Sequence, residues 1–199
     1  MGNTPFLSDL EKEAKASRVP VIKKETQRLI KFMLAVHNPV NILEIGAAIG
    51  FSSILMAEYS DKDARITTIE NYEKRIPVAK ENILKSGFKD KITLLEGNAE
   101  DILPTLENGY DMIFIDAAKA QYPYYLEEAC RLLKTGGLMI ADNCLQEGDI
   151  FESKFVVERR DRTIHKRMRE FLYKVSHDER FSTVLLPLGD GVTLAKKTV

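Results

Sequence analysis

Short apolar runs rich in β-branched residues alternate with longer helical stretches through most of this 199-residue chain. This alternation constrains the fold more than any other feature, because it is the signature of a mostly parallel sheet covered by helices. Strands are predicted at Asn41–Ile45, Arg65–Ile69, Lys91–Leu95, Asp111–Ile115 and Leu138–Ala141, and the helices between them at about 51–59, 72–86, 98–106 and 121–133. The pattern predicts one α/β domain.

The two ends of the chain depart from this rhythm. Residues 4–17 and 20–37 have the pattern of two amphipathic helices, with Pro20 in the first turn of the second. Gly87 and the Gly136-Gly137 pair lie where helices should end. A charged helix is predicted at about 152–177.

The last two apolar runs predict an antiparallel hairpin. Ser182–Leu186 and Gly191–Ala195 flank the turn-forming sequence Leu188-Gly189-Asp190-Gly191. We therefore expect a single domain over 1–199, with a helical extension at 1–38 and a Rossmann-like α/β core at 39–199.

Composition and the cysteine pattern exclude several classes of protein. Hydrophobic residues make up 44% and charged residues 30% of the chain, which is ordinary for a globular domain and unlike a disordered one. No apolar stretch approaches the roughly 20 residues that span a bilayer, and no basic segment followed by an apolar run indicates a signal peptide. Cys130 and Cys144 form neither a metal-type spacing nor a disulfide framework, so we expect a soluble, cytoplasmic protein without membrane association.

A glycine-rich turn follows the first predicted strand. Gly46 and Gly50 have the spacing G-x-x-x-G, and Glu70 ends the second strand about 20 residues later, where an acidic side chain can accept hydrogen bonds from ribose hydroxyls. The dinucleotide fingerprint G-x-G-x-x-G is absent, which argues against a nicotinamide oxidoreductase, and no Gly-Lys-Ser/Thr phosphate loop follows. Glycines here can also serve packing alone, but with Glu70 in register the pattern favours a nucleotide-like ligand.

Polar residues follow the fourth and fifth predicted strands. Asp116 and Lys119 follow the fourth, and Asp142-Asn143 follows the fifth, at the edge of the sheet where ligands bind. Two carboxylates and an amide oxygen suit Mg²⁺, Mn²⁺ or Ca²⁺ and leave coordination positions open for substrate oxygens. Taken singly, Asp116 could instead be a helix N-cap and Asp142-Asn143 a turn.

Glu44-x-Gly46-x-x-x-Gly50 followed by Glu70 resembles the cofactor motif of class I S-adenosylmethionine-dependent methyltransferases. The resemblance implies that Gly46 and Gly50 flank the methionine part of the cofactor, that Glu70 holds its ribose, and that Gly97-Asn98-Ala99 lies by the adenine. The implied cofactor-binding residues are Glu44, Gly46, Gly50, Ser52, Glu70, Asn98, Ala99 and Asp116.

Asp116, Lys119 and Asp142-Asn143 together resemble the metal site of the catechol and caffeoyl-CoA type of O-methyltransferases. The resemblance to this family extends from about Val19 to the C-terminus. The resemblance implies that Asp116, Asp142 and Asn143 bind Mg²⁺ or Mn²⁺ and that Lys119 is the general base. A hydroxyl bound to such a cation loses its proton more easily and can then attack the sulfonium methyl group.

The positive charge of the chain is clustered, although its formal net charge is only −1. Seven Lys or Arg residues lie between Lys154 and Arg169, and a second excess lies in the N-terminal helices. Either cluster alone could be a solvated helix face, but together they suit a phosphate backbone.

The basic segment is similar to that of bacterial tRNA 5-hydroxyuridine methyltransferases, which implies tRNA as the partner and Arg159, Arg160 and Arg162 as RNA-binding residues. The alternatives are a catechol-like small molecule as substrate, or a non-catalytic RNA-binding module. Members of the family are often dimers, so we also expect a homodimer.

Overall fold

The computed structural model describes residues 2–145 and 162–199. The helices within these residues are α1 (Pro5–Ala16), α2 (Lys24–His37), α3 (Phe51–Tyr59), α4 (Ile76–Lys85), α5 (Ala99–Ile102), α6 (Tyr122–Leu132) and α7 (Arg162–His177). The strands are β1 (Asn41–Ile45), β2 (Arg65–Glu70), β3 (Ile92–Glu96), β4 (Tyr110–Ile115), β5 (Leu133–Ala141), β6 (Phe181–Leu186) and β7 (Val192–Lys197). Short 3-10 turns at Leu103–Thr105 and Lys119–Gln121 precede β4 and α6.

The strands form a seven-stranded sheet in the order β3-β2-β1-β4-β5-β7-β6. Strand β2 pairs in parallel with both β1 and β3, and β4 pairs in parallel with β5. Strand β7 runs antiparallel to both β5 and β6. The predicted Rossmann-like sheet with a C-terminal antiparallel hairpin is therefore confirmed.

The chain divides into two compact units, Met1–Thr105 and Leu106–Val199. In the N-terminal unit, helices α1 and α2 both contact α3, and α3 is buried on nearly all sides. A helix that is apolar all round must lie in a core. In the C-terminal unit, α6 and α7 contact each other, and α7 also packs on β6.

Helix α2 begins at Lys24, so the prediction that it starts at Pro20 is wrong. The side-chain amide of Gln27 donates to the backbone carbonyl of Ile22 at 2.8 Å, within a buried environment. Lys23, which precedes the helix, has an extended backbone with φ −62° and ψ 156°, so the helix cannot continue back through it to Pro20.

The bounds of α5 and β5 also differ from prediction. Helix α5 ends at Ile102 and continues only as a 3-10 turn, since Pro104 has no amide hydrogen for another helical bond. Strand β5 begins at Leu133 and contains Gly136-Gly137, which were predicted to end a helix. The register between β4 and β5 shifts between Tyr110 and Met112, and Gly136 has a φ of +84° near this irregularity. Gly87, by contrast, follows the end of α4 with a φ of +79°, as predicted.

None of the described helices is long and apolar enough to cross a membrane. The predicted helix at 152–177 is present from Arg162 onward, and its first ten residues lie outside the described residues.

Candidate functional site

The loop after β1 has an unusual backbone conformation. Gly46, Ala48 and Gly50 all have positive φ, at 101°, 48° and 83°. Positive φ is costly for alanine, and such strain tends to persist at functional sites. A Cβ on Gly50 would come no closer than 3.5 Å to Ile83, which is ordinary contact, so conformation rather than space within the chain calls for glycine there.

The carboxylate of Glu70 holds this loop in place. It accepts the backbone N–H of Ala48 at 2.7 Å, of Asn71 at 3.0 Å and of Tyr72 at 2.8 Å, and the residue is only 7% exposed. The bonds to Asn71 and Tyr72 hold the chain in a turn after β2. Helix α4 therefore begins at Ile76, and the prediction that it begins at residue 72 is wrong. A carboxylate has about four acceptor positions, so these three bonds are compatible with a ribose contact, and that contact stays a prediction.

The loop after β3 joins the same group. Gly97 donates its N–H to the carbonyl of Glu70 at 2.9 Å, and Asn98 accepts from the side-chain amide of Asn71 at 2.8 Å. Ala99 begins α5 directly after Asn98. Hydrogen bonds thus connect the segments that follow β1, β2 and β3. Five of the predicted cofactor residues lie in these loops or at the ends of the elements that flank them, namely Gly46, Gly50, Glu70, Asn98 and Ala99.

Two other predicted cofactor residues are buried inside the unit. Glu44 is fully buried in β1 and accepts a 2.5 Å hydrogen bond from Thr68 on the neighbouring strand β2. Ser52 is buried near the start of α3. Their roles in cofactor binding stay predictions.

The polar residues that follow β4 and β5 meet in the C-terminal unit. Ile115 is paired with Ala141 in the parallel register, so the next residues of both strands lie side by side. The amide nitrogen of Asn143 donates to Asp116 Oδ1 at 2.8 Å. Asp142 Oδ1 accepts the backbone N–H of Asn143, also at 2.8 Å. The structure therefore brings together the three residues predicted to bind a metal.

The electrostatics of this cluster suit a hard cation. Loss of solvation raises the pKa of Asp116, while the hydrogen bond from Asn143 and the charge of Lys119 act in the opposite direction. A divalent ion would compensate the carboxylate charge that is shielded from water here, and carboxylate and amide oxygens are its preferred ligands. Across 2–145 and 162–199 no group of three or more His, Cys, Asp or Glu residues is arranged to hold a metal. The cluster of Asp116, Asp142 and Asn143 has two carboxylates and one side-chain amide.

Tyr122 supports this cluster, and the sequence did not point to that role. Its hydroxyl is fully buried and donates to the backbone carbonyl of Asp142 at 2.8 Å. Burial raises the pKa of Tyr122 well above its usual value, so the hydroxyl keeps its proton and remains a donor. The ring packs edge-to-face on Phe171 of α7, with centroids 5.3 Å apart. Tyr125, one turn further along α6, is also buried, so both tyrosines pack this helix into the protein.

The Leu188–Gly191 turn contacts the chain just beyond the cluster. The carbonyls of Gly191 and Asp190 accept the backbone N–H groups of Cys144 and Leu145 at 2.8 and 2.9 Å. Gly191 has a φ of +85°, and a Cβ on it would lie 2.2–2.8 Å from side-chain atoms of Leu145. Burial raises the pKa of the Cys144 thiol to about 12, so that cysteine is not a nucleophile.

Lys119 follows Asp116 by three residues, and the basic segment at 154–169 follows Asn143 in the sequence. Lys119 is half-buried and begins the 3-10 turn that leads into α6, and α7 contacts this turn. Arg162 is exposed at the first residue of α7. Arg159 and Arg160 lie outside the described residues.

A family model described as O-methyltransferase matches residues 3–198. Caffeoyl-CoA O-methyltransferase 1 of Eucalyptus globulus is 33% identical over 186 residues, with 85% of this chain and 72% of that protein covered. Catechol O-methyltransferase of Mycobacterium tuberculosis is 32% identical over 154 residues, with coverage of 75% and 70%. The crystal structure of an O-methyltransferase from Bacillus cereus in complex with S-adenosylhomocysteine superposes with a TM-score of 0.88 at 25% identity, covering 100% of this chain and 93% of that one.

Proposed function

This chain belongs to the O-methyltransferase family, and from that premise we propose that it methylates one hydroxyl of a catechol-like substrate in a reaction that needs a divalent cation. The family transfers the methyl group of S-adenosylmethionine, so the chain is an S-adenosylmethionine-dependent enzyme. The proposed dependence on a divalent cation is supported by the pairing of Asp116 with Asn143 at 2.8 Å, next to Asp142.

The connected loops of the N-terminal unit are proposed to bind S-adenosylmethionine. Their support is the positive-φ turn at Gly46–Gly50 and the carboxylate of Glu70, which already fixes Ala48 through a 2.7 Å bond. A loop fixed before the cofactor arrives loses little conformational entropy on binding. Glu70 and the backbone of this turn would orient the cofactor.

Asp116, Asp142 and Asn143 are proposed to hold Mg²⁺ or Mn²⁺. When bound, such a cation makes a coordinated hydroxyl more acidic. Tyr122 steadies the ligands, since its hydroxyl holds the carbonyl of Asp142 at 2.8 Å. The Nζ atom of Lys119 is proposed to accept the hydroxyl proton, and the influence of its charge on the pKa of Asp116 supports its proximity.

A substrate with two adjacent oxygens fits this ligand set best, because three protein ligands leave positions for a chelating acceptor. Similar proteins support this choice, since one is named for catechol and another for caffeoyl-CoA, whose caffeoyl group carries a catechol ring. The test compares catechol with phenol, which has a single oxygen, in the presence of S-adenosylmethionine and Mg²⁺. We expect methylated catechol and little methylated phenol by mass spectrometry. Equal rates on both would refute a chelating acceptor.

A second candidate substrate is 5-hydroxyuridine in tRNA, whose hydroxyl lies beside a carbonyl. One observation favours it: Arg162, Lys166 and Arg169 are all exposed on α7 at a spacing that puts them on one side of the helix. Arg167, on the same helix, pairs with Glu170 at 3.1 Å. Such a row of cations suits a phosphate backbone.

Reversing the three charges together, as Arg162→Glu, Lys166→Glu and Arg169→Glu, distinguishes the two candidates. If tRNA is the substrate, the triple variant should lose tRNA methylation, and the slope of log affinity for tRNA against log salt should fall by up to about three. Unchanged activity on catechol is expected from a small-molecule enzyme. A wild-type protein that leaves 5-hydroxyuridine-containing tRNA unmethylated would exclude this second candidate.

A further inference from the structure

His165 is a buried polar residue with no role in the account so far. It is 3% exposed, and its Nε2 atom has no hydrogen-bond partner among the residues that the structure describes. Buried polar side chains almost always have a partner, so such an atom asks for an explanation. A bound molecule that carries a hydroxyl group would supply such a partner.

The position of His165 along α7 can be read from its neighbours. Phe171 packs on Tyr122, the first residue of α6, and Arg180, beyond the end of α7, pairs with Glu127 further along α6. The two helices therefore run in the same direction. His165 precedes Phe171 by six residues, which is about 9 Å along the helix axis. Because Phe171 lies beside the first residue of α6, His165 lies beyond the start of α6.

The residues that precede α6 are those of the 3-10 turn that begins with Lys119. Helix α7 contacts this turn. His165 belongs to the packed face of α7, which it shares with Met168, Phe171 and Val175. His165 therefore lies on the buried side of α7, toward the end of the helix that is nearer the Lys119 turn.

Resting on the function proposed above, we propose that His165 binds the acceptor substrate by a hydrogen bond between its Nε2 atom and a substrate hydroxyl near Lys119. A hydroxyl can donate or accept, so it satisfies either tautomer of the imidazole. The unsatisfied atom is then a cost to the free protein that substrate binding removes, a trade of stability for function that is common at binding sites.

The test uses two substitutions at one position. His165→Leu, close in volume, removes the polar atom, and His165→Gln keeps a polar group near the position of Nε2. We expect His165→Leu to raise the Tm of the free protein by about 2–4 °C and to raise the KM for the acceptor roughly threefold to tenfold. His165→Gln should restore most of the acceptor KM, and neither variant should change the KM for S-adenosylmethionine.

His177→Leu is the matched control, because His177 lies on the same helix but is exposed and bonds to the carbonyl of Tyr173 at 2.8 Å. It should leave the acceptor KM unchanged. An unchanged acceptor KM in His165→Leu, or a lower Tm in that variant, would overturn the inference. If the wild-type protein transfers no methyl group to any acceptor, the proposed function fails. Calorimetric binding of catechol to wild type and His165→Leu then decides about His165 separately, with equal affinities or no binding counting against it.

Discussion

Replacing Gly191 by alanine should damage the protein through two effects that the structure separates. The first is backbone conformation: Gly191 has a φ of +85°, and a left-handed conformation costs a residue with a Cβ about 1–2 kcal/mol. The second is space: the new methyl group would lie 2.2 Å from the Cγ and 2.5 Å from the Cβ of Leu145. Overpacking of this kind costs about 1–3 kcal/mol, so Gly191→Ala should lose about 2–5 kcal/mol of unfolding free energy.

Gly136→Ala is the matched control. Gly136 has nearly the same φ, +84°, but nothing lies within 4 Å of an added Cβ. It should therefore show the conformational cost alone, about 1–2 kcal/mol. The difference between the two variants isolates the clash with Leu145.

Urea denaturation followed by circular dichroism measures both free energies, provided that the m-values stay equal. Leu145 can yield only by moving the chain next to Asp142-Asn143, so Gly191→Ala should also raise the Mg²⁺ concentration needed for half-maximal activity. Gly136→Ala should leave that concentration unchanged. Equal destabilisation by the two substitutions would show that the clash between the Cβ added at Gly191 and Leu145 costs nothing.

Two further outcomes are expected. Glu70→Gln should weaken binding of S-adenosylmethionine by roughly tenfold or more, because charge-assisted bonds worth about 1.5–3 kcal/mol become weaker or repulsive, whereas unchanged affinity in calorimetry would make Glu70 only a loop residue. The Cys144 thiol should not react with a thiol reagent at pH 8 in the folded protein and should react in urea, because a pKa of about 12 leaves roughly one thiol in ten thousand ionised. This fraction rises as the pH rises toward the pKa, so fast labelling of Cys144 at pH 8 without denaturant would contradict its burial.

The strands could be predicted well because buried parallel strands are dense in apolar, β-branched residues. Asn41–Ile45 was predicted with the bounds that the structure has. The predicted start of α2 was wrong because Pro20 suits a first helical turn in general, whereas the extended backbone at Lys23 delays the helix to Lys24. The prediction that a helix ends at Gly136-Gly137 was wrong for a similar reason, since glycine favours both helix ends and strand irregularities.

The proximity of Asp116 to Asn143 followed from a simple rule, that neighbouring parallel strands bring their carboxyl ends together. The hydrogen bond from Tyr122 to Asp142 could not be predicted in this way, because it joins residues 20 positions apart and depends on how α6 packs. The contact of Gly191 with Leu145 is likewise a matter of packing between distant segments. His165 carried no signal in the sequence, since a lone histidine in a charged helix is ordinary.

If the proposed metal site at Asp116, Asp142 and Asn143 exists, methyl transfer should depend on a divalent cation. The direct measurement is the rate of catechol methylation, at saturating S-adenosylmethionine, after removal of metal by a chelator and during titration with Mg²⁺ or Mn²⁺. We expect no product in chelator, full recovery with either cation, and no recovery in the variant Asp142→Asn. Undiminished methylation of catechol in excess chelator would contradict the proposed metal site.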